Sequence, residues 1–227
     1  MDRRVRISVL GTLIPAFCLI LWCASRAIAA DTELREYDLE IDGKASGKYY
    51  MTITIQDSGI ESVKNQASIS YKHIFGTYTY VFQGVEHWQN GRLIQMTSSC
   101  NDDGTKTEVT ANVDKEGLRL TINGRDRNCR GDVWTTSYWK VADPKFHNQA
   151  VPLLDADTGK EMVAQLRRVG EDVLEIGGKK QNCYHFRVTG GPISPLDLWY
   201  DGQLRLVRQE FTDHGKRVVV NLASLKK

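Results

Sequence analysis

Residues 77–100 read TYTYVFQGVEHWQNGRLIQMTSSC. Up to Trp88 the even positions are Tyr78, Tyr80, Phe82, Gly84, Glu86 and Trp88, so one face of an extended segment is aromatic. A period of two over that length marks a half-buried strand rather than a helix. Asn90-Gly91 then interrupts the alternation. Both residues tolerate the positive φ that a type I′ hairpin turn requires. The stretch is therefore read as two antiparallel strands. Counting back from the turn sets Glu86 opposite Gln95 and sends Ile94 and Met96 to the other face, with Val85 and His87. Either a bulge near Gly84 shifts the register, or both faces are partly covered.

Working outward, the same alternation recurs on both sides. Upstream, EYDLEI places Tyr37, Leu39 and Ile41 on one face before the Asp42-Gly43 turn. KYYMTITI and ASISY repeat it around Ser58-Gly59. Downstream come the NDDG turn (101–104), KTEVTA and GLRLTI. Residues 123–148 break the rhythm: NGRDRNCRGD reads as a polar loop, and one or two short helices are expected near 134–148, capped by Thr135 or Thr136 and bounded by Pro144. Strands then resume with VPLL, KEMVAQLRRV, EDVLEI, NCYHFRVT, LDLWYDGQLRLVRQEF and RVVVNL. Short turns between successive strands make neighbours antiparallel, a meander. A dozen or more strands do not stay flat, so the expected class is all-β: a curled sheet or an open or closed barrel. Residues 30–227 are expected to form one such domain.

In the closing segment, Asp201-Gly202 taken as the loop sets Trp199 opposite Leu204 and Asp197 opposite Leu206. Leu196, Leu198, Tyr200, Val207, Phe211, Val218, Val220 and Leu222 then share the core face. Asp197 and Trp199 fall on the outer side, where Trp199, Leu204 and Leu206 make a small patch for packing or docking. The 134–148 segment or a partner would cover it.

The N-terminus has the three parts of a secretory signal peptide: Arg3, Arg4 and Arg6, an apolar run from Val9 to Ala24, and Ala27-Ile28-Ala29 for cleavage after residue 29. The chain is thus expected to be exported, periplasmic or secreted. Cys18 and Cys23 follow bulky Phe17 and Trp22, so no lipid anchor is expected. The net charge of +2 includes +3 from residues 1–29, leaving −1 on the rest. No electrostatic footprint for nucleic acid remains, and no later apolar stretch would span a membrane as a helix. Cys100, Cys129 and Cys183 survive cleavage into a compartment that permits disulfides. Register counting brings Cys100 and Cys129 to the same end of the sheet, so a disulfide is expected there, with Cys183 left over.

The motifs YDLEIDG-x-x-SG, VEHWQNGRL, NDDG, TTSYW, LLDADTG, YHFRVTG and LDLWYDGQLRL, in this order, resemble an uncharacterised domain-of-unknown-function family of exported bacterial β-proteins. The likeness covers nearly all of residues 30–227 and implies no activity. The tail is also similar in style to the periplasmic lipoprotein-carrier fold, which implies an incomplete barrel around an apolar cavity.

Catalytic signatures are absent: there is no nucleophile elbow, zinc-protease helix, phosphate loop or dinucleotide fingerprint. DADTG begins like a calcium loop, but Leu166 stands where the bidentate Glu belongs, so it reads as a polar hairpin turn. Cys183 and His185 share a strand face without a third partner, and no metal or cofactor is expected. Arg130-Gly131-Asp132 matches an adhesion tripeptide by letters alone. Glu86 lies on the aromatic face, as a carboxylate of raised pKa or as a structural hydrogen-bond acceptor. Three functional classes follow. The first is a carrier of an apolar ligand such as a lipid, with Tyr78, Tyr80, Phe82, Glu86 and Trp88 around it. The second is a non-enzymatic module that docks an envelope protein. The third is an enzyme pairing Glu86 with a histidine such as His185.

Overall fold

A computed structural model describes residues 31–73, 76–193 and 195–227. The expected signal peptide lies outside the described residues. The alternating runs form fifteen strands: β1 (Asp31–Ile41), β2 (Lys44–Ile55), β3 (Glu61–His73), β4 (Gly76–Gln89), β5 (Arg92–Asp102), β6 (Thr105–Asp114), β7 (Gly117–Ile122), β8 (Arg125–Cys129), β9 (Trp134–Thr135), β10 (Gln149–Leu154), β11 (Glu161–Ile176), β12 (Lys179–Thr189), β13 (Leu196–Tyr200), β14 (Leu206–Asp213) and β15 (Lys216–Lys226).

All fifteen belong to one sheet, ordered from β8 back to β1, then β15 back to β9. Every pairing is antiparallel except the two-residue β9–β10 contact. The first and last strands meet in the middle, Tyr37, Leu39 and Ile41 lying opposite Leu222, Val220 and Val218. Laid flat, fourteen strand spacings of about 4.8 Å would spread over about 67 Å. Yet the two edges, β8 and β9, are joined by residues 130–133 alone, and that link reaches about 18 Å at most. The sheet must therefore curl until its edges nearly meet, as an open barrel. Its concave side holds the core, including Tyr37, Met51, Val63, Leu120, Leu153 and Tyr200.

Asn90 and Gly91 adopt φ of 51° and 74°, the expected mirror-image turn. The register differs from simple counting. Trp88 pairs with Leu93 but His87 pairs with Gln95, so Ile94 is an extra residue beside the turn and Gly84 carries no bulge. Glu86 consequently opposes Met96, and Trp88, Leu93, Met96 and Cys100 are all buried. The bulge resolves a packing conflict, because it lets Leu93 and Met96, three residues apart, face the same core.

The polar stretch after Ile122 is a strand rather than a loop. Asn123 and Gly124 take φ of 47° and 78°, a second tight reversal, and β8 runs back along β7. This corrects the expected disulfide. Cys129 lies opposite Leu118, at the far end of β7, whereas Cys100 lies opposite Thr107 on β6. Two strands separate β5 from β8, and both thiols, like that of Cys183, are free and buried.

Residues 134–148 hold one 3₁₀ turn, Pro144–Phe146, capped by Asp143, whose carboxylate accepts from Lys145 N at 2.9 Å. Thr135 and Thr136 cap nothing there; Thr135 belongs to β9. The irregular chain between them is buried, so its carbonyls need partners. Arg35 donates to Trp139 O at 2.8 Å, Tyr200 to Tyr138 O at 3.0 Å and Trp134 Nε1 to Lys140 O at 3.0 Å. The sequence irregularity thus marks an inward-packed plug rather than a helix.

Candidate functional site

The curl encloses a cavity of about 440 Å³. Its wall runs from Tyr78, Tyr80 and Phe82 on β4, past Leu39 on β1, to Val220 on β15 and Phe211 on β14. Ser137 and Tyr138 of the plug also line it, and Asp102, Asp213, His214 and Lys216 contribute at the exposed rim. Strand alternation explains the wall: every second residue of each strand points inward.

An inserted turn also borders the cavity. The turn from Asp155 to Lys160, between β10 and β11, enters the concave side. Ser98 donates to Ala156 O at 2.5 Å, and the Tyr80 hydroxyl donates to Asp157 Oδ2 at 2.7 Å. Gly159 has φ of 69°, and a Cβ there would come within 2.5 Å of Ile122 Cδ1 on β7. Asp155 holds the turn, accepting from Thr158 Oγ1 at 2.6 Å, Asp157 N at 3.2 Å and Thr136 Oγ1 at 3.3 Å. Burial, and then the neighbouring Asp155 carboxylate, push Asp157 up from 3.8 to about 7 against the pull of the Tyr80 hydrogen bond. Burial raises Tyr80 well above 10, reinforced by Asp157. So DADTG is a hairpin turn, but an internal one. The signal for this was the run Val151–Leu154: a strand buried on both faces delivers its turn to the interior.

Of the sequence-predicted ligand residues, Tyr78, Tyr80 and Phe82 line the cavity, and Glu86 and Trp88 do not. Glu86 lies deeper, 1% exposed. Its Oε2 accepts from Trp88 Nε1 at 2.8 Å, Thr135 Oγ1 at 3.0 Å and Ser137 Oγ at 3.2 Å. Burial raises it from 4.5 to about 7, opposed by these three donors. Glu86 therefore ties the plug to β4. Trp88 borders a smaller cavity of about 100 Å³ with Trp139 and Lys140. Among the described residues no group of three His, Cys, Asp or Glu is placed to hold a metal.

The closing hairpin is bulged too. Trp199 pairs with Arg208 and Tyr200 with Leu206, leaving Val207 as the extra residue. Leu206 is fully buried beside Leu198 and Tyr200, while Leu204, at φ 58°, is 44% exposed in the turn. The expected patch of Trp199, Leu204 and Leu206 is thus split. Trp199 itself is covered: it stacks on His185 at 4.4 Å, donates to Asp172 at 2.7 Å and carries the Arg208 guanidinium 5.3 Å from its ring. Asp197 is held by Arg187 at 2.8 Å and by His185 Nε2 at 2.8 Å. The pair Glu86 and His185 is not brought together, since His185 alternates with core-facing Phe186 and turns outward.

The domain-of-unknown-function family DUF6134 matches residues 37–223. The chain belongs to that family. The expected likeness to an uncharacterised domain-of-unknown-function family agrees with this placement. Among solved structures, the chain is similar to a β-barrel-like protein of domain of unknown function DUF1849 from Brucella abortus. The TM-score is 0.61 at 7% identity, over 86% of this chain and 97% of that one. At that identity the likeness concerns the fold alone. No curated protein matches the chain.

Proposed function

We propose that this protein is exported and binds an apolar small molecule, such as a lipid chain, inside its curled sheet. The observation that carries the reading is the cavity of about 440 Å³ walled by Tyr80, Phe82, Phe211 and Val220. Its size falls within the roughly 300–1,000 Å³ typical of ligand pockets, and a mostly apolar wall with a few polar groups is their usual chemistry. Side chains that merely filled the core would leave no such space, because protein interiors pack nearly as densely as organic crystals. The N-terminal signal-peptide pattern supports export, and protein found only in the cytoplasmic fraction with that segment intact would argue against it. Glu86 then serves structure rather than catalysis: it accepts from Trp88 on its own strand and from Thr135 and Ser137 of the plug. Native mass spectrometry of the protein purified from an envelope extract tests the binding reading. A co-purifying mass in the lipid range is expected. A clean apo mass, together with failure to bind an apolar fluorophore, would overturn it.

A further inference from the structure

The cavity has two chemically distinct parts. Most of the wall is apolar, but the inserted turn presents Asp157 to it. Tyr80 satisfies Oδ2 of that carboxyl, and among the described residues no hydrogen bond reaches Oδ1. Asp155 on the same turn adds a second acid, already occupied by three donors. From the packed strands, Tyr80 on β4 and Cys100 and Asp102 on β5 face this corner. Among the described residues no lysine, arginine or histidine forms an ion pair with Asp155 or Asp157. The bordering bases, His214 and Lys216, are at the rim, where Lys216 pairs with Asp42 at 3.1 Å.

We propose that the preferred occupant is a single-chain alkyl amine. Its nitrogen would donate to Asp157 Oδ1 and its chain would lie against Phe82, Phe211 and Val220. This deepens the apolar-ligand reading and rests on it. An ammonium beside this half-buried carboxylate gains a charge-assisted hydrogen bond. An alkyl carboxylate in the same place would set like charges together in a poorly solvated corner. At about 30 Å³ per water-sized group, the cavity has room for roughly fifteen such groups, which suits a chain of about twelve carbons.

The test is displacement of an apolar fluorophore from the purified protein by dodecylamine and by dodecanoate. At about pH 8 dodecylamine is expected to displace the probe at roughly tenfold lower concentration, the scale of one charge-assisted hydrogen bond. At about pH 5.5, with Asp157 protonated, the ratio should fall to about one. That collapse must persist in His214→Asn, which removes the rim histidine. Asp157→Asn should lose the preference at pH 8; if that variant does not fold or does not hold the probe, the pH comparison in the native protein decides. Dodecanoate binding as well as dodecylamine at pH 8, or a preference that survives Asp157→Asn, would overturn the inference. Failure of the probe to bind at all would instead refute the apolar cavity site on which it rests.

Discussion

Replacing Glu86 by glutamine should remove a measurable part of the pH dependence of this domain's stability. Glu86 is buried, and its carboxyl is held up to about 7 in the folded chain against an ordinary value of 4.5. Desolvation outweighs the donors Trp88, Thr135 and Ser137. Between those two values the unfolded chain has released the proton that the folded chain still holds. Stability is therefore greatest below pH 4.5 and falls as the pH rises through 7. At about 1.4 kcal/mol per pH unit, the loss is on the order of 3 kcal/mol. Asp157, raised to about 7 from 3.8, acts in the same direction and is present in both proteins, so the difference between them isolates Glu86. Glutamine preserves the shape and an acceptor for the three donors, yet carries no charge. Urea unfolding followed by tryptophan fluorescence provides the assay. The two midpoints should nearly coincide at about pH 4.5, and at about pH 8 Glu86→Gln should unfold about 1 M higher in urea. Parallel pH curves, or a glutamine variant less stable at pH 8, would refute the reasoning and show that the donors hold Glu86 ionised.

Three further outcomes follow from the geometry. Ile69→Trp, at a half-buried cavity wall position, should weaken apolar-probe binding about tenfold or more by filling the space, with a thermal midpoint near that of the parent protein. Gly159→Ala should cost about 2 kcal/mol or more in urea unfolding, because φ is 69° and the new Cβ meets Ile122; a neutral result would contradict the packing of the inserted turn. Alkylation followed by peptide mass spectrometry should find Cys100, Cys129 and Cys183 unreactive in the folded protein and all three modified in denaturant without reductant, since each is a buried free thiol. Burial raises each of them, Cys100 and Cys129 to about 12.

The strands and their class were legible because a period of two needs only the order of residues. Tyr37, Leu39 and Ile41, or Tyr80 and Phe82, point inward wherever their strand sits. What escaped was whatever a single residue decides. Ile94 and Val207 bulge outside the ladder without any compositional mark, and each reassigns its neighbours' partners: Glu86 to Met96, and Leu206 to the core. Asn123-Gly124 carried the same turn chemistry as Asn90-Gly91, but the polar residues after it concealed an edge strand, and with it the true position of Cys129. An exposed edge has no apolar period to show. Asp157 was hidden for a different reason. Its role comes from a contact with Tyr80, 77 residues away in sequence, and only the curling of the sheet creates that contact.

The central claim is that the concave side of this sheet is a ligand site. A crystal of the protein grown with 12-bromododecylamine, read by the anomalous signal of bromine, tests it most directly. The account predicts one bromine peak inside the curl, against Phe82, Phe211 and Val220, with the amine end at Asp157. An empty cavity, or bromine only on the outer face, would contradict it.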